Sequence, residues 1–311
     1  MTTTGNQFTS LRNSDVGVWT GRGCCLRLLQ VLSTCIAFSL VASMGTWRGD
    51  IGNFSLFIWC FCFAMTLIII IVEWFGLQRR FPFFWYNVPI TFACYFALLC
   101  LSASITYTTT FVQFLPLSPN RDRAIAAITF SCIACVLYGM EVAWIWDWYE
   151  LGSNPCYVHT IPGLLKVLET LVACVIFAFI SNTNLYLHQP ALVWCVVVYS
   201  ICFIQAAVAI LLKLFKLKYT LPIPFPIFQV GLTLLSVIFY SSAMVLWPLY
   251  QFDEKLGGQA QRSSDGSCRD DLTYYVCAWD QRLAVAILTA INLLAYMADL
   301  VYWARQVFVK D

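Results

Sequence analysis

The chain has 311 residues, of which 60% are hydrophobic and only 11% charged, with a formal net charge of +2 and a mean hydropathy of +0.76. A soluble domain of that composition has too little polar surface to cover itself. Bilayer is the medium it fits, and the near-zero net charge gives no reason to expect a nucleic-acid partner.

Residues 1–25 are polar and rich in Thr, Ser, Asn and Gly, which predicts a disordered tail. No secretory signal precedes the first apolar run, which is long enough to span and lacks a small-residue cleavage site. A span needs roughly 20 apolar residues, and the chain offers Leu28–Trp47, Ser55–Phe75, Pro89–Thr109, Ala124–Trp146, Gly163–Ile180, Ala191–Leu212, Phe225–Trp247 and Leu283–Ala304. Trp47, Trp144, Trp146, Trp247 and Trp303 fall at or near these ends, where indoles prefer the headgroup level. The expected class is an all-α polytopic membrane protein with eight transmembrane helices.

The last four spans repeat the first four. Leu28-Leu-Gln-Val-Leu-Ser-Thr34 reads like Leu164-Leu-Lys-Val-Leu-Glu-Thr170, Trp59-Cys60 like Trp194-Cys195, and Phe81-Pro82 like Leu221-Pro222. Asp122 through Tyr138-Gly-Met-Glu141 reads like Asp280 through Tyr296-Met-Ala-Asp299. Both halves cross in the same sense, so the repeat is parallel rather than inverted. The organisation expected is a tail (1–25), a four-helix module (26–147), a linker (148–161), a second module (162–305) with a long outer loop (248–282), and a short tail (306–311).

Orientation follows from Lys and Arg. Placing both termini in the cytoplasm puts the basic loops Arg79-Arg80 and Lys213, Lys216 and Lys218 inside, whereas the outer Arg and Lys are mostly interleaved with acids. Such inner loops suit anionic inner-leaflet lipids. Of the 15 Cys, most lie within or beside spans, where they act as small packing residues. Cys268 and Cys277 stand apart in the outer loop and are expected to form a disulfide in an oxidising compartment. Cys24-Cys25, beside Arg22 and Arg27, is a candidate palmitoylation site, and Asn53-Phe-Ser55 is a formal glycosylation acceptor close to the bilayer.

Glu73, Glu141, Glu169 and Asp299 fall inside spans, where burying a charge costs at least about 2.5–3.5 kcal/mol. Glu73, Glu141 and Asp299 sit about one turn, and Glu169 about two turns, from the inner ends. Inner-leaflet ion pairing with Arg27, Arg80, Lys166 or Lys213 is the reading favoured over lipid or partner recognition and over transport. A conduction path needs polar groups through the whole thickness, and the outer half carries no charge. His159 and His188 fall on opposite sides, Cys156-Tyr-Val-His159 is half a metal-ligand set, and no phosphate loop or nucleophile elbow occurs. No enzyme activity, cofactor or metal is expected. Leu300-Val-Tyr302-Trp-Ala-Arg305 fits a weak cholesterol-contact pattern.

Several segments resemble the myeloid-associated differentiation marker family: Pro89-Ile-Thr-Phe-Ala-Cys-Tyr95, Ile161-Pro-Gly-Leu-Leu-Lys-Val-Leu-Glu-Thr170, Leu246-Trp-Pro-Leu-Tyr-Gln-Phe-Asp-Glu-Lys255, and Tyr274-Tyr-Val-Cys-Ala-Trp-Asp280 through Asp299. The likeness covers about residues 26–310. It implies two tandem MARVEL domains, in agreement with the duplication. It also implies a plasma-membrane protein of cholesterol-rich ordered microdomains, coupled to cortical actin and small-GTPase targeting in spreading, migration and junctions. Small residues on the spans allow close helix contact within or between modules, and a homo-oligomer is among the expected partners. The rival readings are a channel or transporter, and an adhesion or receptor protein working through loop 248–282.

Overall fold

The computed structural model describes residues 4–45, 50–77, 87–112, 115, 117–150, 160–181, 183–214, 224–262 and 277–308. Eight helices account for most of them: α1 (Thr4–Met44), α2 (Asp50–Trp74), α3 (Asn87–Thr110), α4 (Pro119–Glu150), α5 (Ile161–Phe179), α6 (Pro190–Leu214), α7 (Phe225–Phe252) and α8 (Ala278–Phe308). Each is long and apolar enough to cross a membrane. Proline marks several starts: Pro119 and Pro190 open α4 and α6, and Pro162 lies in the first turn of α5. There a missing N–H costs nothing, because first-turn donors have no intrahelical acceptor. At α5 the Thr160 hydroxyl also caps the Gly163 N–H at 3.3 Å.

Several helix boundaries differ from expectation. Within the expected tail, residues from Thr4 onward belong to α1. Once the span is helical, each further residue adds a hydrogen bond without the cost of a new nucleus. At the other helix ends, α4 and α8 run on to Glu150 and Phe308, past the expected limits at Trp146 and Ala304. Glu141 and Asp299 therefore lie about 13 Å from the helix ends at 1.5 Å per residue, deeper than one turn.

In each half the four helices close a ring: α1 packs on α2 and α4, and α3 on the same two; α5 packs on α6 and α8, and α7 on the same two. Aromatic side chains fill both interiors, and the repeat relates Tyr107 to Trp247 and Tyr138 to Tyr296. Tyr107 stands edge-on to Trp59 at 5.5 Å, and Trp247 lies 6.3 Å from Tyr199. Tyr138 contacts Phe96 at 5.3 Å, and Tyr296 contacts Tyr240 at 5.1 Å. Trp247 and Trp303, near their span ends, are buried between helices.

The duplication holds, with one change of register. Trp59 is buried, whereas Trp194 is 41% exposed and its neighbour Cys195 is buried. The structural counterpart of Trp59 is thus Cys195, one position along, in the same register that relates Leu28–Thr34 to Leu164–Thr170. One residue is about 100° of helix rotation, enough to move an indole from core to lipid.

The halves meet through α5, which touches α2 and α3. Tyr95 Oη lies 2.6 Å from Thr170 Oγ1, and Cys94 packs on Val167. With module 2 on one side and module 1 on the other, 67% of the α5 span is buried, against 28–44% for the other spans. At the far end, the turn after α7 folds back tightly. A Cβ on Gly258 would sit 2.6 Å from the Gln251 carbonyl carbon, so only glycine fits.

Candidate functional site: two buried ion triads

All four membrane acids lie toward the end of the bundle that carries both chain termini, and each meets a basic residue of its own module. In module 1 the Arg27 guanidinium on α1 bridges two helices: Nε donates to Glu141 Oε1 at 2.7 Å, and Nη1 donates to Glu73 Oε2. Gln30, one turn along, donates to Glu141 Oε2 at 2.9 Å and to the Leu137 carbonyl at 3.2 Å. Arg27 and Glu141 are buried, but the Glu73 side chain is 32% exposed. A cleft of about 250 Å³ opens beside this triad, between Trp74, Trp144, Ile70 and Cys24.

In module 2 the repeat places Lys166 where module 1 has Gln30, and Glu169 where it has Ser33. Lys166 Nζ donates to Glu169 Oε2 at 2.7 Å and to Asp299 Oδ2 at 2.9 Å. Thr233 on α7 donates to the same Asp299 oxygen at 3.1 Å. Lys166 also stands 5.2 Å from the centre of the Tyr296 ring, a cation–π contact. Glu169, Thr233 and Asp299 have no exposed surface, and Lys166 has 2%. Glu169 Oε1 and Asp299 Oδ1 have no hydrogen-bond donor. Lys213, at the end of α6, holds its ammonium 4.8 Å from the centres of the Phe225 and Trp303 rings.

The structure thus pairs the acids with Arg27 and Lys166. Arg79, Arg80, Lys216, Lys218 and Cys268 lie outside the described residues. Cys24 is half-buried and Cys25 exposed, both as free thiols. Cys277 is disulfide-bonded to a sulfur outside the described residues.

A ladder of neutral polar side chains continues beyond the triad in module 2, so polar groups extend past the acids although charges do not. Asn292 Nδ2 donates to Tyr240 Oη at 2.7 Å and to the Glu169 carbonyl at 3.2 Å. Tyr199 Oη lies 2.8 Å from Thr289 Oγ1, and Trp247 Nε1 donates to the Arg282 carbonyl at 3.1 Å. Module 1 has a counterpart: Trp59 Nε1 donates to Ser131 Oγ at 2.8 Å, and Ser104 Oγ donates to the same hydroxyl at 2.8 Å. In lipid such contacts between helices substitute for the absent hydrophobic drive. Asn292 and Gln30 were visible in the sequence as uncharged polar residues inside apolar helices. Attention to charge alone passed over them.

Comparison with known proteins fits this architecture. The membrane-associating MARVEL domain model matches residues 18–144 and again 157–302. The myeloid-associated differentiation marker of Homo sapiens is 67% identical over 285 residues, covering 92% of this chain and 88% of that protein. The chain belongs to the myeloid-associated differentiation marker family of MARVEL proteins. A homologue from Xenopus laevis is 46% identical over 302 residues, 97% of this chain and 95% of its own length. A myeloid-associated differentiation marker-like protein 2 of Mus musculus is 34% identical over 288 residues, 91% of each chain. No solved structure matches the chain at a significant level. The family is thus one of membrane proteins named as a differentiation marker, not a family of enzymes.

Proposed function

We propose that this protein is a non-enzymatic organiser of cholesterol-rich plasma-membrane microdomains, with both termini cytoplasmic, coupling ordered membrane to cortical actin and small-GTPase targeting during spreading and migration. The observation that carries the reading is the fate of the membrane acids. Each is engaged by a basic residue of its own bundle, at 2.7–2.9 Å in the three contacts around Glu141, Glu169 and Asp299. The contacts of Arg27 with Glu73 and Glu141, and of Lys166 with Asp299, lock helices together, and Lys166–Glu169 pairs within α5, whereas a conduction path presents its charges to water. The outward faces meanwhile offer lipid a broad apolar surface, including Leu101, Ile105, Val136, Ile204, Ile238 and Leu294.

The basic loops Arg79-Arg80 and Lys213–Lys218 would hold anionic inner-leaflet lipid at about 1 kcal/mol per charge, and acylation at Cys24 or Cys25 would add a second anchor. Cys268 is the proposed partner of Cys277 in the outer loop. Loss of the protein is expected to disperse ordered-membrane markers and slow cell spreading without altering any ion current. Neutralising Arg79, Arg80, Lys213, Lys216 and Lys218 together is expected to weaken cortical recruitment while surface expression persists. Purified protein in liposomes is expected to stay electrically silent. A selective conductance abolished by Glu141→Gln or Asp299→Asn would replace the organiser with a channel. Tags at the amino terminus, Gly152 and Gly266 test orientation, and only the last is expected to bind antibody on intact cells.

A further inference from the structure

The two triads differ in one respect that bears on ligands: the module 1 site is open. Its cleft has a polar floor, made by Arg27, Glu141 and the part-exposed Glu73, and apolar flanks that include Ile70. Two indoles, Trp74 and Trp144, stand at its walls. An ionised carboxylate has about four lone-pair positions, so Glu141, which accepts from Arg27 and Gln30, and the part-exposed Glu73 keep lone pairs for a further donor. Carboxylate oxygens beside indole faces are recognition chemistry for an organic cation. The flanks and the position near the helix ends select an amphiphile, whose head enters the cleft while its chains stay in the bilayer.

We propose that this cleft binds the primary ammonium of a phosphatidylethanolamine headgroup. A primary ammonium carries three N–H donors for the carboxylates, whereas the quaternary ammonium of phosphatidylcholine carries none and gains only the aromatic contact. An anionic headgroup is disfavoured by Glu73 and Glu141. The counterpart in module 2 supplies the internal comparison: Lys166 already places an ammonium between Glu169 and Asp299, beneath the Tyr296 ring, in a site with no opening to lipid. The headgroup in module 1 would thus repeat, from outside, what Lys166 does from within.

The proposal deepens the organiser reading and takes its significance from it. Binding, however, is measured without reference to microdomains, so either can fail alone. The test is native mass spectrometry of the full-length protein, released from nanodiscs holding equal parts of phosphatidylethanolamine, phosphatidylcholine and phosphatidylglycerol. Retention of phosphatidylethanolamine about tenfold over phosphatidylcholine is expected, the scale of one charge-assisted contact. Glu73→Gln and Trp74→Ala are each expected to abolish that preference. Trp74 is 77% exposed, so its variant keeps the test valid should Glu73→Gln impair folding. Displacement of the retained lipid by free ethanolamine would support ammonium recognition and show that the headgroup alone suffices. Selective retention of phosphatidylglycerol, equal retention of all three lipids, an unchanged preference in both variants, or occupation of the cleft by a basic peptide in place of lipid would overturn the proposal.

Discussion

The two modules solve the same problem in different ways. Each buries a pair of acids against one basic residue near the same end of the bundle. Module 1 does so with a guanidinium that leaves Glu73 in reach of the surface, and module 2 with an ammonium sealed between α5 and α8. The sealing follows from position in the chain. α5 is the helix shared by both halves, so its polar face has no exit to lipid or water, whereas α1 lies at the edge of module 1. A duplicated fold can therefore keep the pairing chemistry and change its exposure by where the second copy is docked.

The largest expected effect tests that difference. Lys166→Met strands two fully buried carboxylates, and breaking a buried pair in this way costs about 3–5 kcal/mol. Arg27→Met is expected to cost less, because Glu73 can be hydrated. Thermal unfolding in detergent compares the two variants, and equal losses would remove the distinction between open and sealed sites. Replacing the whole triad, Lys166→Met with Glu169→Leu and Asp299→Leu, is expected to recover most of the stability, since apolar packing often matches a buried ion pair.

A second comparison sets Trp59 against Trp194. Trp59→Ala empties a core site, at about 3–5 kcal/mol for large-to-small replacement, while Trp194→Ala removes a ring already half in lipid and is expected to cost under about 1 kcal/mol. Similar losses in both would restore the register suggested by the Trp-Cys dipeptides. In the outer loop, reduction of the proposed Cys268–Cys277 bridge is expected to lower stability by about 2.5–3 kcal/mol in the chain-entropy treatment. Alkylation without reduction, followed by mass spectrometry, would refute the bridge by finding both sulfurs modified. The smallest effect belongs to the seam between modules: Tyr95→Phe deletes the contact with Thr170 and is expected to cost about 0.6 kcal/mol, the average for such bonds in membranes.

Sequence alone carried the eight spans, the duplication and the acids, because apolar length and rare charges are strong signals in membrane helices. It also narrowed the cations correctly to a group that contained Arg27 and Lys166. It did not carry rotation about the helix axis. Composition gives every face of an apolar helix the same reading, so the Trp-Cys dipeptides align Trp194 with Trp59 although one is 41% exposed and the other buried. Nor did it reveal the centrality of α5, which arises from docking between modules and leaves no local mark. The neutral ladder was present in the letters, but only the structure shows Asn292 turned toward Tyr240 and Thr289 toward Tyr199.

The central claim is that the membrane acids are neutralised in ion triads that tie helices together through Arg27 and through Lys166–Asp299, one site open to water and the other closed. Carboxylate footprinting with a water-soluble carbodiimide, on the protein in nanodiscs and read by mass spectrometry, tests it directly. The account predicts modification of Glu73 and protection of Glu169 and Asp299 up to the point of unfolding. Labelling of Glu169 or Asp299 to the same extent as Glu73 in the folded protein would contradict it, since water would then reach the heart of module 2.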